Sequence, residues 1–408
     1  MRRSLVCIAS ITVAMATLAL MPALAQRDDA SQASRIDRPK LHRQGRNAIP
    51  QHYIVVLDVD ATGAAGNFSA TAATASLVSA TFGAVPRHVY AHAINGFSAQ
   101  MSEEQALALS DDPRVRFVEE DSVMTATATQ ANPPSWGLDR VGQRDLPLNH
   151  SYSFTATGSG VNVYIIDTGI RRTHTQFGGR ARVGFDAVGD GQNTNDCAGH
   201  GTHVSGTVGG STFGIAKNVQ LFAVRVLNCS GSGSNSGVIA GVDWVTANHI
   251  SPAVANMSLG GGVSAALDTA VRNSIASGVT YAVAAGNENS DASTHSPARV
   301  AEAITVGSST ITDARSSFSN FGAGVDIFAP GSAIVSATST SDTATATFSG
   351  TSMATPHVTG VVARFLQNNP GATPAAVRNE LVAQSTPAHV SGLPGGTANR
   401  LLFWSSSR

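Results

Sequence analysis

Charge is scarce in this chain. Asp, Glu, Lys and Arg make up 13% of its 408 residues, about half the usual share. The formal net charge is −1. No basic field is present to gather nucleic acid, and no block of like charge reads as a tail. Aromatics are few, at 6%, while 42% of residues are apolar and 40 are Gly. Small and apolar side chains with little charge describe a close-packed globular protein and exclude a disordered one. Beyond the first 25 residues, no segment is long and apolar enough to span a membrane. Cysteine is limited to three residues.

The N-terminus has the layout of a secretory signal. Arg2 and Arg3 form a basic start, an apolar run extends from Leu5 to Met21, and Ala23-Leu24-Ala25 is a small-residue cleavage site. An uncleaved anchor is the alternative, and the run is short for one. Residues 1–25 are therefore expected to be removed and the protein secreted to an extracellular, oxidising compartment. Cys7 leaves with the signal. Cys197 and Cys229 remain, and an even pair in an exported protein reads as a disulfide rather than as two free thiols. In the chain-entropy picture that bridge contributes roughly 3–4 kcal/mol.

Residues 26–47 are polar and poor in aromatics, and read as a linker. Residues 48–126 form a small unit. His52 to Val59 alternates as a strand, Ala70 to Phe82 is helix-like, and Gly83 is placed to end it. Val85 to Met101 reads as two extended segments bending at Asn95-Gly96. Ser102 and Gln105 make a capping box for a helix over Ala106 to Ser110, Asp112-Pro113 stops it, and Val115 to Val118 is a last strand. The order βαββαβ suggests a small α+β split-βαβ domain. Thr125 to Pro134 is Thr-rich, loose and Pro-bounded, which suits an exposed cleavage segment.

Across 127–408 strand-like and helix-like runs alternate. They are Val161–Asp167, a helix opened by His200, Val219–Val226, Val238–Asn248, Ala253–Ser258, Ser264–Ser277, Thr280–Ala284, Ala303–Gly307, Ser352–Gln367 and Pro374–Ala383. That pattern predicts an α/β fold with a doubly wound, mostly parallel sheet. Its strands are nearly continuous apolar runs, as expected when helices cover both faces.

Three segments carry candidate chemistry. Val163-Tyr164-Ile165-Ile166-Asp167-Thr168-Gly169 places a carboxylate at the end of a buried strand, where open α/β sheets hold their sites. Taken alone, Asp167 is equally a turn residue. Gly199-His200-Gly201-Thr202-His203 opens a helix with an imidazole that can take and return a proton near neutral pH. The His200–His203 spacing of three, with no Glu between, does not match the zinc-hydrolase pattern, and His203 reads as a core residue. Phe348-Ser349-Gly350-Thr351-Ser352-Met353-Ala354-Thr355-Pro356 puts a Ser at a helix start, beside unpaired N–H groups and the positive end of the dipole. A helix-capping Ser is the plain alternative, and Pro356 is expected in the tolerant first turn.

Together, in the order Asp, His, Ser, these segments resemble the signature segments of the subtilase family. The resemblance runs from about Trp136 to Phe403 and is nearest the proteinase K branch, with its aqualysin-like enzymes. Ala253-Val254-Ala255-Asn256-Met257-Ser258-Leu259-Gly260-Gly261-Gly262 and Ala284-Ala285-Gly286-Asn287 are similar to theirs. It implies a serine endopeptidase of broad specificity: Ser352 as nucleophile, His200 as base and then acid, Asp167 as its orienting partner, and Asn287 as oxyanion donor. Gly231-Ser232-Gly233 and Ser258-Leu259-Gly260 match the two edges that hold a peptide substrate as an extended strand.

The resemblance also implies a structural Ca2+, with Asp326 and the carbonyls of Ala301 and Ala303 as ligands. At a second family site Asp139 and Gln143 match, but Gly142 stands where an acidic ligand is expected. Cys197–Cys229 matches one aqualysin-type bridge, and the other has neither partner. The unit 48–126 resembles the family's inhibitory propeptide, so the chain is expected to be a self-inhibited zymogen. A monomer without nucleic-acid or membrane partners is expected once the signal is gone, with no further domain after the catalytic one. A non-catalytic binding module on the same fold is the alternative. An esterase is disfavoured because Gly350-Thr351-Ser352-Met353-Ala354 lacks the G-x-S-x-G elbow.

Overall fold

A computed structural model describes residues 40–44, 48–58, 67–92, 94–122 and 128–406. The expected signal, most of the linker and residues 123–127 lie outside the described residues. The chain divides into two compact units, Met1–Met124 and Thr125–Arg408.

The first unit is an α+β sandwich. Its sheet runs in the order Leu41–His42, Val115–Ser122, Ala48–Leu57, Gly96–Gln100, Val85–Tyr90. The long central strand pairs antiparallel on both sides, with Val55 opposite Phe97 and Val118. Helix Phe68–Phe82 starts two residues before the expected Ala70, because the Asn67 side chain accepts from the Ala70 N–H. Helix Glu103–Ser110 carries the full capping box: Ser102 and Gln105 bond each other's backbone N–H. Val55, Val78, Phe97, Leu109 and Val118 close the core between helices and sheet. The linker reading needs one correction. Leu41–His42 pairs in parallel with the strand Val115–Ser122, since the extended backbone there completes an otherwise open edge.

The second unit is built on nine strands. Their order is Thr386–Pro387, Arg400–Leu401, Ile327–Pro330, Ile304–Ser309, Thr280–Ala284, Ala253–Met257, Asn162–Asp167, Gln220–Arg225, Ala181–Asp186. Every pairing is parallel except the short Thr386–Pro387 with Arg400–Leu401. Both faces are buried. Val163 and Ile165 join the core beneath helices His200–Gly209 and Thr351–Asn368. Tyr164 and Ile166 join the one beneath helices Asn235–Asn248 and Ala265–Ala276. That alternation is the strand period of two read against two layers of helices.

Some elements differ from expectation. Ala181–Asp186 is an edge strand in which only Ala181 is buried and the rest are half-buried or exposed, so no apolar run announces it. The hairpin Ile334–Ala337 with Thr345–Phe348 is too short for a periodic signal. Ala128–Ala131, expected as loose chain, forms an antiparallel pair with Ser151–Phe154. Within that stretch Gln130 donates to the Thr212 carbonyl.

After Asn162–Asp167 the chain builds first on one side of that strand, then crosses to the other. The carboxyl end of this strand is therefore the topological switch point, where such sheets open a crevice.

Two neutral histidines lie in the core nearby. His203 stacks on Phe348 with centroids 4.5 Å apart, and its Nε2 bonds the Ile334 carbonyl at 3.0 Å. His357 donates from Nδ1 to the Met353 carbonyl at 2.9 Å. Burial, the largest effect in each case, pulls both imidazoles down to about 4. The unfolded chain takes up these protons near the ordinary 6.5, the folded chain only near 4. Their contribution is thus complete above pH 6.5 and lost as pH falls toward 4, by roughly 3 kcal/mol each. Urea unfolding of Ser352→Ala between pH 7 and 4 should show this decline, and His357→Gln should remove about half of it.

Candidate active site

Asp167 is the last residue of the strand Asn162–Asp167 and is completely buried. Its Oδ1 accepts from the Thr168 N–H at 2.7 Å and from His200 Nδ1 at 2.8 Å. His200 is the first residue of helix His200–Gly209, and its side chain is 30% exposed. Gly201 permits this approach: a Cβ there would stand 2.2 Å from the Gly169 carbonyl oxygen. Burial pulls the His200 imidazole down, but the Asp167 charge and hydrogen bond, with a smaller push from Asp196, raise it above the ordinary value.

Asp196 is a partner the sequence did not announce. Its Oδ1 accepts from Thr168 Oγ1 (2.9 Å) and the Ala198 and Gly199 N–H groups (2.9 and 2.8 Å). Its Oδ2 accepts from the Thr202 N–H (2.9 Å) and Oγ1 (2.6 Å). One buried carboxylate thus ties the end of the Asp167 strand to the start of the His200 helix. The only signal was an Asp four residues before His200, common in any turn.

Ser352 is the second residue of helix Thr351–Asn368, whose cap is Gly350 without a side-chain bond. The capping alternative for Ser352 is therefore excluded. Its hydroxyl donates to the Ser258 carbonyl at 3.0 Å. Pro356 needs a correction, because it lies inside the helix and not in the first turn. Lacking an N–H, it leaves the Ser352 carbonyl, four residues back, without a helical partner. The Ser258 hydroxyl fills that place at 2.9 Å. Asn256 holds Ser258 in turn at 2.8 Å, and Thr359 holds Asn256 at 2.8 Å.

Asn287 follows the strand Thr280–Ala284. Its Oδ1 accepts from the Thr351 N–H at 2.8 Å and from Thr351 Oγ1 at 3.0 Å. That pairing fixes which way the amide faces and leaves Nδ2 free to donate.

These groups meet in one cleft with two halves. The first, about 590 Å³, is lined by Gly231, Ser232, Gly233, Ser258, Leu259 and Gly260 together with His200 and Ser352. Leu227, Val238 and Leu267 give it an apolar wall that no motif marked. The second half, about 630 Å³, holds Asn287, Phe348, Met353 and Cys229 beside His200 and Ser352. Cys197 and Cys229 are bonded, which joins the approach to His200 to the Gly231 edge of the cleft.

The expected calcium ligands are arranged differently. Asp326 is nearly buried; one oxygen pairs with the Arg378 guanidinium and the other accepts from the Thr305 N–H at 2.9 Å. Burial pushes its carboxyl up, against the pull of Arg378 and Thr305. Ala301 is exposed and Ala303 buried just before the strand Ile304–Ser309. With both Asp326 oxygens engaged and a cationic side chain on one, the residues present do not fit a calcium cage. At the second place, Asp139 accepts from the His150 N–H at 2.7 Å and keeps its other buried oxygen unpartnered. The Gln143 carboxamide is spent on Asp145, Pro147 and Asn149. Among the described residues, no three His, Cys, Asp or Glu side chains gather as a metal site.

The Subtilase family profile matches residues 158–399, and the Peptidase inhibitor I9 profile matches residues 52–127. The chain belongs to the subtilase family. It is 55% identical over 315 residues to an extracellular serine proteinase of Thermus sp. (strain Rt41A), covering 77% of each chain. It is 54% identical over 321 residues to alkaline serine exoprotease A of Vibrio alginolyticus, covering 77% of this chain and 59% of that one. Among solved structures, a cold adapted subtilisin-like serine proteinase superposes with a TM-score of 0.64 at 55% identity, over 66% of this chain and 97% of the other. These relatives are aqualysin-like members of the proteinase K branch. This subtilase is a serine endopeptidase, with an inhibitor unit encoded in the same chain.

A base must be neutral to accept a proton, and His200 holds its proton more tightly than an ordinary imidazole. The acid limb of kcat/KM on a peptide anilide should therefore fall above pH 6.5. A midpoint below that value would contradict the Asp167–His200 pairing.

Proposed function

We propose that Ser352, His200 and Asp167 hydrolyse peptide bonds through an acyl-enzyme, with Asn287 and the Ser352 N–H holding the oxyanion. The carrying observation is the 2.8 Å bond between His200 and a fully buried Asp167, at a cleft that also holds Ser352 and Asn287. The Ser352 hydroxyl leaves the Ser258 carbonyl and turns to His200 Nε2. Its proton passes to that nitrogen as Oγ bonds the substrate carbonyl carbon. Charge moves to the carbonyl oxygen, which accepts from Asn287 Nδ2 and the Ser352 N–H. His200 then gives the proton to the leaving nitrogen, and the C–N bond breaks. A water repeats the steps on the ester, restoring Ser352 and releasing the acid. Asp167 stays ionised throughout and holds the imidazole in the tautomer that Nε2 catalysis needs.

Substrate lies extended between Gly231–Gly233 and Ser258–Gly260, where backbone pairing gives affinity with little side-chain selection. This reading makes the unit 48–126 the inhibitor of its own peptidase, and the protein a secreted, extracellular monomer after loss of residues 1–25. The Thermus relative named extracellular and the matched inhibitor profile support it. Casein clearing by secreted wild type and Ser352→Ala tests the mechanism: the variant should clear nothing and accumulate uncut precursor. Equal clearing would reject it and favour another catalytic group. N-terminal sequencing of mature protein should find the cut between Met124 and Ala131.

For the metal, the reading follows the side chains. Arg378 supplies the positive charge at Asp326 that a calcium ion would otherwise bring. EDTA should leave the Tm contribution of this site unchanged, within about 2 °C. Arg378→Ala should cost roughly 2–3 kcal/mol, below the range for fully buried pairs because Arg378 is 35% exposed. A fall in Tm with EDTA that disappears in Asp326→Asn would put calcium there instead.

A further inference from the structure

Asn320 is not among the residues lining the cleft, and no motif marks it. It is completely buried. Its Oδ1 accepts from the N–H groups of Glu288 (3.0 Å) and Ser290 (2.9 Å) and, more weakly, from Ser290 Oγ (3.3 Å). Its Nδ2 donates to the Ala285 carbonyl (2.9 Å) and to Glu288 Oε2 (2.8 Å). Its own N–H donates to the Gly286 carbonyl at 3.0 Å. Residues 285, 286, 288 and 290 thus all bond to Asn320, and Asn287 sits between them. Both side-chain donors and the acceptor are used, so neither a flipped amide nor a smaller polar group meets the same demands. Gly286 belongs to the same device. It has φ of 104°, and a Cβ there would stand 2.3 Å from Asn320 Nδ2. The neighbouring chain adds to the grip, with Asn289 donating to the Phe318 carbonyl and Phe321 to the Ser290 carbonyl.

We propose that Asn320 is a positioning residue for oxyanion stabilisation. It holds the backbone on both sides of Asn287, while Thr351 holds the Asn287 side chain. The inference rests on the reading of Asn287 as oxyanion donor. A donor aimed in advance stabilises developing charge without reorganising, and a small misplacement forfeits much of that effect.

The test is a double-mutant cycle on the mature enzyme, processed by active enzyme in trans and assayed on a peptide anilide. Asn320→Asp changes one atom: it keeps the acceptor for Glu288 and Ser290 but loses both donated bonds and adds a charge beside Glu288. It should lower kcat about 10–100-fold with KM within about threefold, because the oxyanion forms only in the transition state. In the Asn287→Ala background the same change should cost less than about threefold in kcat, since residues acting as one unit are not additive. Equal losses in both backgrounds, or no loss in wild type, overturn the proposal. Asn287→Ala alone should lose about 10²–10³ in kcat, the magnitude measured in a subtilisin. If it does not, the reading of Asn287 fails, and that failure shows separately. Where Asn320→Asp is not secreted, Asn320→Ser runs the same cycle, with a Tm measurement confirming that each variant is folded.

Discussion

The bond between His200 and Asp167 is the constraint around which this structure is arranged. It asks for a carboxylate with no water access to meet an imidazole that substrate can still reach. A buried ion of this kind is costly unless its bonds are supplied. The switch point of the parallel sheet supplies the place. Asp167 ends the strand at that point, and His200 begins a helix that packs on one face of the sheet. Asp196 and Thr168 lock those two elements together. Asp196 has both oxygens bonded, while the bonds of Asp167 all fall on Oδ1.

A second rule governs Ser352 and Asn287: polar groups near the chemistry are held by residues that do not take part in it. The Pro356 ring removes a helical bond, and the Ser258 hydroxyl replaces it. The side chain of Asn287 is fixed by Thr351 and its loop by Asn320. These bonds fix the surroundings of the reacting atoms, with the Ser352 hydroxyl resting on the Ser258 carbonyl and Asn287 Nδ2 left to donate. Electrostatic stabilisation of a transition state depends on that division, because donors that must reorient lose the advantage of being in place. The Cys197–Cys229 bridge extends the same logic to the rim, joining the segment before His200 to the edge expected to bind substrate.

Stabilising elements away from the cleft follow a different course. Asp326 meets an arginine, while Asp139 keeps an unpartnered oxygen in the core. A guanidinium brings fixed charge and directional donors without depending on dissolved metal. The partner of Asp326, Arg378, lies 52 positions away from it. No local pattern around Asp326 could have revealed it.

The amino-acid sequence by itself determined the two-unit organisation, the α/β class, the disulfide pair and the residues Asp167, His200, Ser352 and Asn287. These are legible because they depend on local order: apolar runs of strand length, a Ser–Gln capping box, and motifs in which neighbouring residues share one turn. Only the tertiary structure decided which groups hold them. Asp196 to Thr168, Asn320 to the Asn287 loop, Ser258 to Ser352 and Arg378 to Asp326 are bonds between distant segments. Edge strands such as Ala181–Asp186 belong with them, since pairing and not composition makes them strands. A hydrogen bond between remote residues is specified by the whole packing of the chain. Neither partner's sequence neighbours record it.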